Sequence, residues 1–295
     1  MCTFIIIIEQ VLLYVPLICG AYIVLSLMKI PDLSLQSSFV VGAVCAGSML
    51  TYSRAIHPGM SAGLAIIASL VGGALVGLIC SIITQVGRIP HLLSTIITIG
   101  ICYGAVLYAL NGASRTYAYN PLANVLVIKG YSELGIMLVI AGGVLACLAY
   151  FLRTQLGYAC AVYGDNPLFL HHYGMATRYV FIMGSIMGNA LAGLSGYLFA
   201  QSSGFVDVTM GADVVLLCIT TLMIGKLVLR IPRPLTLIVP MAGLVLYCML
   251  QQILLKLHLN PQYFAGVYAL MILGIALYVF SSYHRRPPTH DHLGV

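Results

Sequence analysis

Apolar residues run along this chain in long unbroken stretches, separated by short intervals rich in Pro, Gly, Asn and Arg. The stretches are continuous rather than alternating, so they read as helices and not as the strands of a barrel. Each approaches the roughly 20 residues that an α-helix needs to cross the hydrocarbon core. About nine spans (8–10) follow: Ile5–Met28, Leu33–Tyr52, Met60–Ile83, Leu92–Leu110, Leu134–Leu152, Tyr179–Ala200, Val214–Leu229, Leu235–Leu255 and Tyr263–Ser282. The second opens with Pro31-Asp32-Leu33-Ser34 and carries Gln36, Ser37 and Ser38, which predicts a broken or partly re-entrant segment buried in protein. The first has no basic leader and is too long for a signal peptide, so it is expected to stay as a helix. The fold class is all-α, a polytopic membrane helical bundle, with one transmembrane domain over 1–283 and a disordered cytoplasmic tail over 284–295.

Composition agrees. Apolar residues make up 61% of the chain, charged residues 7%, and the mean hydropathy is +1.05, whereas a soluble domain carries about 25% charged residues. Lys and Arg then set the orientation. With the polar interval 153–178 in the cytoplasm, Lys29, Arg88, Arg153, Arg178, Lys226, Arg230, Arg233, Arg285 and Arg286 fall inside, against Arg54, Arg115, Lys129 and Lys256 outside. The N-terminus is therefore expected outside and the C-terminus in the cytoplasm of a multi-pass membrane protein. There is no Trp, and Tyr52, Tyr108, Tyr150, Tyr179, Tyr263 and Tyr283 at the span ends supply the interfacial belt. The net charge of +6 is accounted for by this bias and by anionic headgroups, so no nucleic acid is implied. The nine cysteines lie mostly in apolar runs without a Cys-x-x-Cys pair and read as small core residues.

Several functions are disfavoured. Glu9, Asp213 and Lys226 lie near span ends, and no charged residue falls at the centre of a span, which argues against an ion-coupled pump. No paired-Asp or His-Glu-x-x-His site supports an intramembrane enzyme, and no catalytic residue is named. His91, His171 and His172 lack the spacing of a ligand set, so no metal is expected. Gly225-Lys226 is followed by Leu227 rather than by the rest of a phosphate-binding loop, so no ATP or other cofactor binds this chain itself. The polar residues at depth are Asn189, the Ser94-Thr95-Thr98 cluster and Thr220-Thr221. Asn189, Thr95 and Thr98 read either as interhelical hydrogen-bond partners or as lining of a translocation path. Gly184, Gly188, Ala192 and Gly196 make one smooth helix face, and Gly59/Gly63, Gly73/Gly77 and Gly100/Gly104 repeat the spacing, which predicts close helix packing.

The interval between Arg153 and Arg178 is polar yet patterned as two short helices. Gly157–Tyr163 is apolar but too short to span lipid. Asn166 suits an N-cap and Pro167 the first helical position, Leu168–Tyr173 form about two turns, Gly174 suits a left-handed stop, and Thr177 is placed to cap the next span. A short apolar helix rimmed by polar residues predicts an interaction surface, or else a helix lying flat at the membrane interface.

Gly157-Tyr-Ala-Cys-Ala-Val-Tyr-Gly164-Asp165-Asn166-Pro167, followed by Gly174-Met175, resembles the coupling loop of ABC-transporter permeases of the branched-chain amino acid and ribose type. The resemblance extends through Gly188-Asn189-Ala190-Leu191, Leu194-Ser195-Gly196, Gln201, Gly204-Phe205, Met210-Gly211 and Pro31-Asp32-Leu33-Ser34, in order over most of the chain. The run Gln201…Gly204-Phe205…Asp207…Met210-Gly211 resembles most the tryptophan/tyrosine importer branch. Two positions depart: Cys160 stands where the family often has Arg, and Lys226 follows Gly225 where Glu is common. The resemblance implies import of a small polar solute such as an amino acid by alternating access. It implies a cytoplasmic ATP-binding subunit, an extracytoplasmic solute-binding protein and a second permease copy, with a homodimer favoured. It assigns Gly157, Gly164, Asp165, Asn166, Pro167 and Gly174 to ATPase coupling, with Arg153 and Arg178 at the ends. Gln201, Asp207 and Asp213 fall on the external connection after the sixth span, and read either as an outer gate or contact with the binding protein, or as ordinary solvated loop residues. A uniporter or channel working without an ATPase is the alternative on the same spans.

Overall fold

The structure, a computed structural model, describes residues 2–52, 58–116, 132–172, 174–229, 237–257 and 263–284. The expected tail after His284, and the basic positions Arg54, Lys129, Arg230, Arg233, Arg285 and Arg286, lie outside these residues. The chain is helical almost throughout. Helix α1 (Cys2–Ala21) runs into a π-helical turn (Tyr22–Leu27) and is followed by α2 (Ser34–Tyr52), α3 (Pro58–Gly87), α4 (His91–Leu110) and strand β1 (Ser114–Thr116). Next come α5 (Ser132–Leu152), the short α6 (Gln155–Asp165) and α7 (Pro167–His172), α8 (Thr177–Ser203) and strand β2 (Phe205–Asp207). A 3-10 turn (Val208–Gly211) leads into α9 (Val214–Leu229), α10 (Ile238–Lys256) and α11 (Phe264–His284). Among the described residues, eight helical segments are long and apolar enough to cross a membrane. The expected ninth span coincides with α11, a helix of 21 residues.

Helix α8 is the axis of the bundle. It runs antiparallel to α1, as Ser195 Oγ donates to the Leu13 carbonyl at 2.7 Å near one end and Gly184 faces the Met28 thioether near the other. The predicted small face explains the closeness: Gly188 lies against Gly20 of α1, and Gly196 lies against the Phe39 backbone of α2. Gly73 and Gly77 of α3 pack on the carbonyls of Asn189 and Ser185. Gly100 and Gly104 behave differently, for nothing lies within 4 Å of where their side chains would start. Around α8 the core is closed by fully buried Leu17, Ile18, Ile23, Leu35, Leu198 and Leu244.

Two local features differ from the expectation. The irregular backbone lies before the second span and not within it: α2 is continuous from Ser34, while α1 loosens into the π turn and Lys29 takes a left-handed φ of 54°. The fold is also not purely helical. β1 and β2 pair antiparallel, with Arg115 opposite Val206, and tie the far ends of α4 and α8 together. Strands this short carry no readable alternation, so their pairing is visible only in three dimensions. The ribbon sits at the end of the bundle opposite α6 and α7.

Glycine contacts generate a direct test. Gly196→Val places a branched side chain on the Phe39 carbonyl and is expected to destabilise by at least the ~1–3 kcal/mol typical of overpacking. Gly104→Val meets open space within the chain and is expected to stay within ~0.5 kcal/mol. Thermal unfolding of the two purified variants separates them; equal melting temperatures would contradict the packing described.

Candidate functional site

The interval 153–178 forms the folded elbow that its capping residues predict. Thr154 caps α6 by accepting from Gly157 N at 3.4 Å. Asn166 Oδ1 accepts from Leu168 N at 3.0 Å and Phe169 N at 3.4 Å, with Pro167 opening α7. Gly174 ends the elbow with φ +73°. Thr177 is already the first residue of α8, whose cap position is Ala176 and makes no side-chain cap. Gly157 is buried against the Phe151 and Leu152 backbone, where no side chain fits. Arg153 and Arg178 are exposed on the flanks of the elbow. Cys160, in the place of a basic residue, is buried and faces Gly184 of α8, so a charge there would point into the bundle. Tyr158, Leu168 and Phe169 are the exposed apolar side chains of the elbow.

The elbow grips the end of α1. Gly164 packs directly on the Leu27 carbonyl, and Asp165 accepts from Lys29 Nζ at 2.6 Å in an exposed ion pair. A second link is aromatic. Tyr163 of α6 lies 6.1 Å from Phe181 of α8, whose ring meets the edge of His91 of α4 at 5.2 Å. Burial holds the Tyr163 phenol above its ordinary pKa.

Both links end at a buried polar cluster. Asp32, which the sequence places at the mouth of the second span, is fully enclosed within the bundle. Its carboxylate accepts from Ser34 N at 2.8 Å, from Ser34 Oγ at 2.5 Å and from Asn189 Nδ2 at 3.1 Å. Asn189 Nδ2 also donates to the Ser185 carbonyl at 2.9 Å, while its Oδ1 accepts from Ser38 Oγ at 2.6 Å and lies 3.1 Å from Ser34 Oγ, whose single proton goes to Asp32 over the shorter distance. Both protons and the oxygen of the Asn189 amide are thus engaged, and the bonds join the irregular segment, α2 and α8. A buried carboxyl group is tolerated in such a place only with donors of this kind. His91 Nε2 stands 3.9 Å from Asp32 Oδ1.

Two cavities flank this lock. One of about 320 Å³ opens toward the elbow, between Lys29, Pro31, Asp32 and the α9 residues Ile219, Met223 and Lys226. The other, about 210 Å³, lies toward the ribbon, between Gln36, Ser37, Cys102, Tyr103 and Thr209. Thr95 and Thr98 are buried beside the lock, and each donates within its own helix, to Leu92 O at 2.7 Å and Ser94 O at 2.8 Å. The three residues expected on the external connection separate. Gln201 is a buried residue of α8 itself. Asp207 accepts from Thr209 N at 2.7 Å and so holds the 3-10 turn. Asp213 is exposed in the turn before α9. The sequence reading missed Lys29, Ser38 and His91 as parts of the site; Asp32 was visible only as a member of its motif.

Residues 4–276 match the model of the family described as the permease component of branched-chain amino acid transport systems. The chain belongs to this family. The permease is 30% identical, over 210 residues, to a tyrosine transport system permease protein of Clostridioides difficile, covering 70% of this chain and 67% of that one. It is 26% identical over 284 residues to an uncharacterised protein of Rickettsia prowazekii, covering 94% and 96%. The autoinducer 2 import system permease protein of Escherichia coli is 24% identical over 193 residues, covering 63% of this chain and 54% of that one. No solved structure matches. The permease is a multi-pass inner-membrane protein of the ABC-transport type, and its family is a transport family, not an enzyme family.

If the lock holds the irregular segment on α8, cutting it has a graded effect. Asn189→Leu removes one donor from the Asp32 carboxyl and leaves the Ser38 hydroxyl without its partner, and is expected to destabilise by about 1–3 kcal/mol or more. Ser38→Ala removes one of these bonds and is expected to lose about 1 kcal/mol. Unfolding of the two variants in detergent ranks them; a neutral Asn189→Leu would show that the lock is not structural.

Proposed function

We propose that this chain is the membrane-spanning subunit of an importer of a small polar solute such as an amino acid, driven by a separate cytoplasmic ATPase. The observation that carries the reading is the grip of the elbow on the end of α1. A displacement of α6 and α7 moves Lys29 and Leu27, and the same irregular segment bears Asp32, which closes the lock between the two cavities. Alternating access then consists of breaking and remaking contacts between the segment 28–34 and α8 as a second permease copy, most simply an identical one, rocks against the first. In this reading α11 is the ninth span, the elbow lies in the cytoplasm with the C-terminus, and the N-terminus and the ribbon face outside, where a solute-binding protein docks. The side of the membrane follows from the bias of Lys and Arg toward the elbow end. Gly164, Asp165, Asn166 and Pro167 form the tip that engages the ATPase, and Leu168 and Phe169 supply exposed apolar contact. The tyrosine transport permease among the relatives supports an amino acid as solute.

One observation favours a second reading. Asp32 is an ionisable side chain inside the bundle, which is where carriers that work without an ATPase keep theirs. Mild purification of the tagged chain from its native membrane distinguishes the two. A stoichiometric ATPase that is lost when residues 164–167 are replaced supports the importer. A stable oligomer that carries solute in liposomes with no ATPase supports the carrier.

Coupling has its own test. An exposed ion pair contributes only about 0–1 kcal/mol to stability, so disrupting Lys29–Asp165 should leave folding intact. Asp165→Lys is expected to reduce uptake severalfold at unchanged melting temperature, and Asp165→Lys combined with Lys29→Asp to restore it. Asn166→Leu with Pro167→Asp removes the cap of α7 and should uncouple ATP hydrolysis from uptake while membrane insertion persists. Normal uptake by that variant refutes the docking role.

A further inference from the structure

Three side chains of the buried cluster come from distant parts of the chain and converge without a hydrogen bond between them. Asp32 lies on the irregular segment, Cys80 on α3 and His91 at the start of α4, and one ligand atom of each lies within 4.8 Å of the others. Asp32 and Cys80 are fully buried, and the His91 side chain is 12% exposed. The hydrogen bonds around them fix which way the lone pairs point. Thr84 Oγ1 donates its single proton to the Cys80 carbonyl at 2.9 Å. It can therefore only accept from His91, at 3.2 Å from Nδ1. That places the imidazole proton on Nδ1 and leaves Nε2 as a bare acceptor. Nε2 is buried without a hydrogen-bond partner and faces a carboxylate oxygen, itself an acceptor, at 3.9 Å. The Cys80 thiol brings one proton to this point and can donate to only one of the two acceptors, so the other stays unpaired, an arrangement that a cation between the three satisfies.

We propose that Asp32, Cys80 and His91 form a binding site for a divalent cation of the zinc class. The donor set of one oxygen, one sulfur and one imidazole nitrogen suits a borderline-soft ion, with a water as fourth ligand. Ligand atoms about one such ion lie about 3.3–3.8 Å apart, so small side-chain rotations close the site. The surrounding bonds are those that metal-binding histidines and carboxylates use: Nδ1–H held by a hydroxyl oxygen, and the carboxylate held by Ser34 and Asn189. On binding, the Cys80 thiol releases its proton to solvent and the thiolate ligates. The ion enters along the His91 ring, the member of the three not fully enclosed. Once bound it ties the irregular segment to α3 and α4. If that segment is the moving gate, the ion arrests transport; this consequence rests on the proposed function, whereas binding does not.

The probe is Co²⁺, added to full-length protein in detergent after removal of any affinity tag. A thiolate-to-cobalt charge-transfer band saturating at one ion per chain and displaced by Zn²⁺ is expected. Cys80→Ser should abolish the band and His91→Gln should weaken binding at least tenfold, both at the wild-type melting temperature without metal. A band that survives in Cys80→Ser, or no band in the wild type, overturns the proposal. Should His91→Gln fail to fold, Thr84→Val, which frees the imidazole to rotate, is expected to weaken cobalt binding, and an unchanged affinity there counts against the assignment. Binding with uninhibited uptake in the presence of Zn²⁺ would refute the arrest while leaving the site.

Discussion

The carboxyl group of Asp32 constrains much of the architecture around it. A polar group enclosed in a lipid-embedded bundle has no water to turn to, so its bonds must come from protein. The donors available are Ser34, on the same segment, and Asn189, in the middle of α8. Reaching Asn189 requires the chain to leave the helical path after α1 and turn back. The π turn, the left-handed Lys29 and the non-helical stretch that follows are the means by which it does so. Close approach in turn requires α8 to carry no side chain where α1 and α2 cross it. Gly188 and Gly196 meet that need, and substitution at either would push the donor away from Asp32.

The same constraint gives the elbow its leverage. α6 and α7 are each held at their start by a local cap, Thr154 and Asn166. They touch the bundle through the surface ion pair and the backbone contact at Gly164, and also through buried Cys160 and Leu170 and the Tyr163 ring. The aromatic line from Tyr163 through Phe181 to His91 arrives at the far side of Asp32. Two mechanically separate routes from one surface element therefore converge on one buried side chain, which is what a gate worked from outside the membrane needs.

The features legible in the sequence are the local ones. Spans follow from continuous apolar runs, and α6, α7 and the stop at Gly174 follow from residues that act on their immediate neighbours: Thr154, Asn166, Pro167 and Gly174. The burial of Asp32 was not legible. Its partner Asn189 is 157 positions away, and Lys29 and Asp165 are 136 apart. A Pro-Asp pair before a span looks like an ordinary interfacial start, and only the fold carries it inward. Gln201 was misplaced for a simpler reason: α8 extends to Ser203, beyond the expected end of the apolar run. Gly100/Gly104 shared the spacing of Gly73/Gly77, yet only the latter meets a neighbour in the chain; spacing records a smooth face but not what lies against it.

Strength is distributed unevenly between the outer and inner contacts. The Lys29–Asp165 pair is exposed, so its bond is weak and exchanges readily with water. The bonds of Asp32 and Asn189 are enclosed, where an unmet partner is costly. A lock of this kind tends to be either closed or fully replaced by other partners, because half-broken states leave buried polar atoms unsatisfied. In the proposed cycle the weak outer contact biases the strong inner one without having to match it in energy, since the elbow also pushes through the Gly164 backbone. The two flanking cavities supply the replacement partners: water or a solute entering from either side can hydrogen-bond to Ser34, Ser38 and Asn189 as the segment withdraws. A polar solute that offers such bonds lowers the barrier to opening, and an apolar one does not. In the proposed cycle a preference for polar cargo would therefore come from the lock, since the cavity walls are mostly apolar.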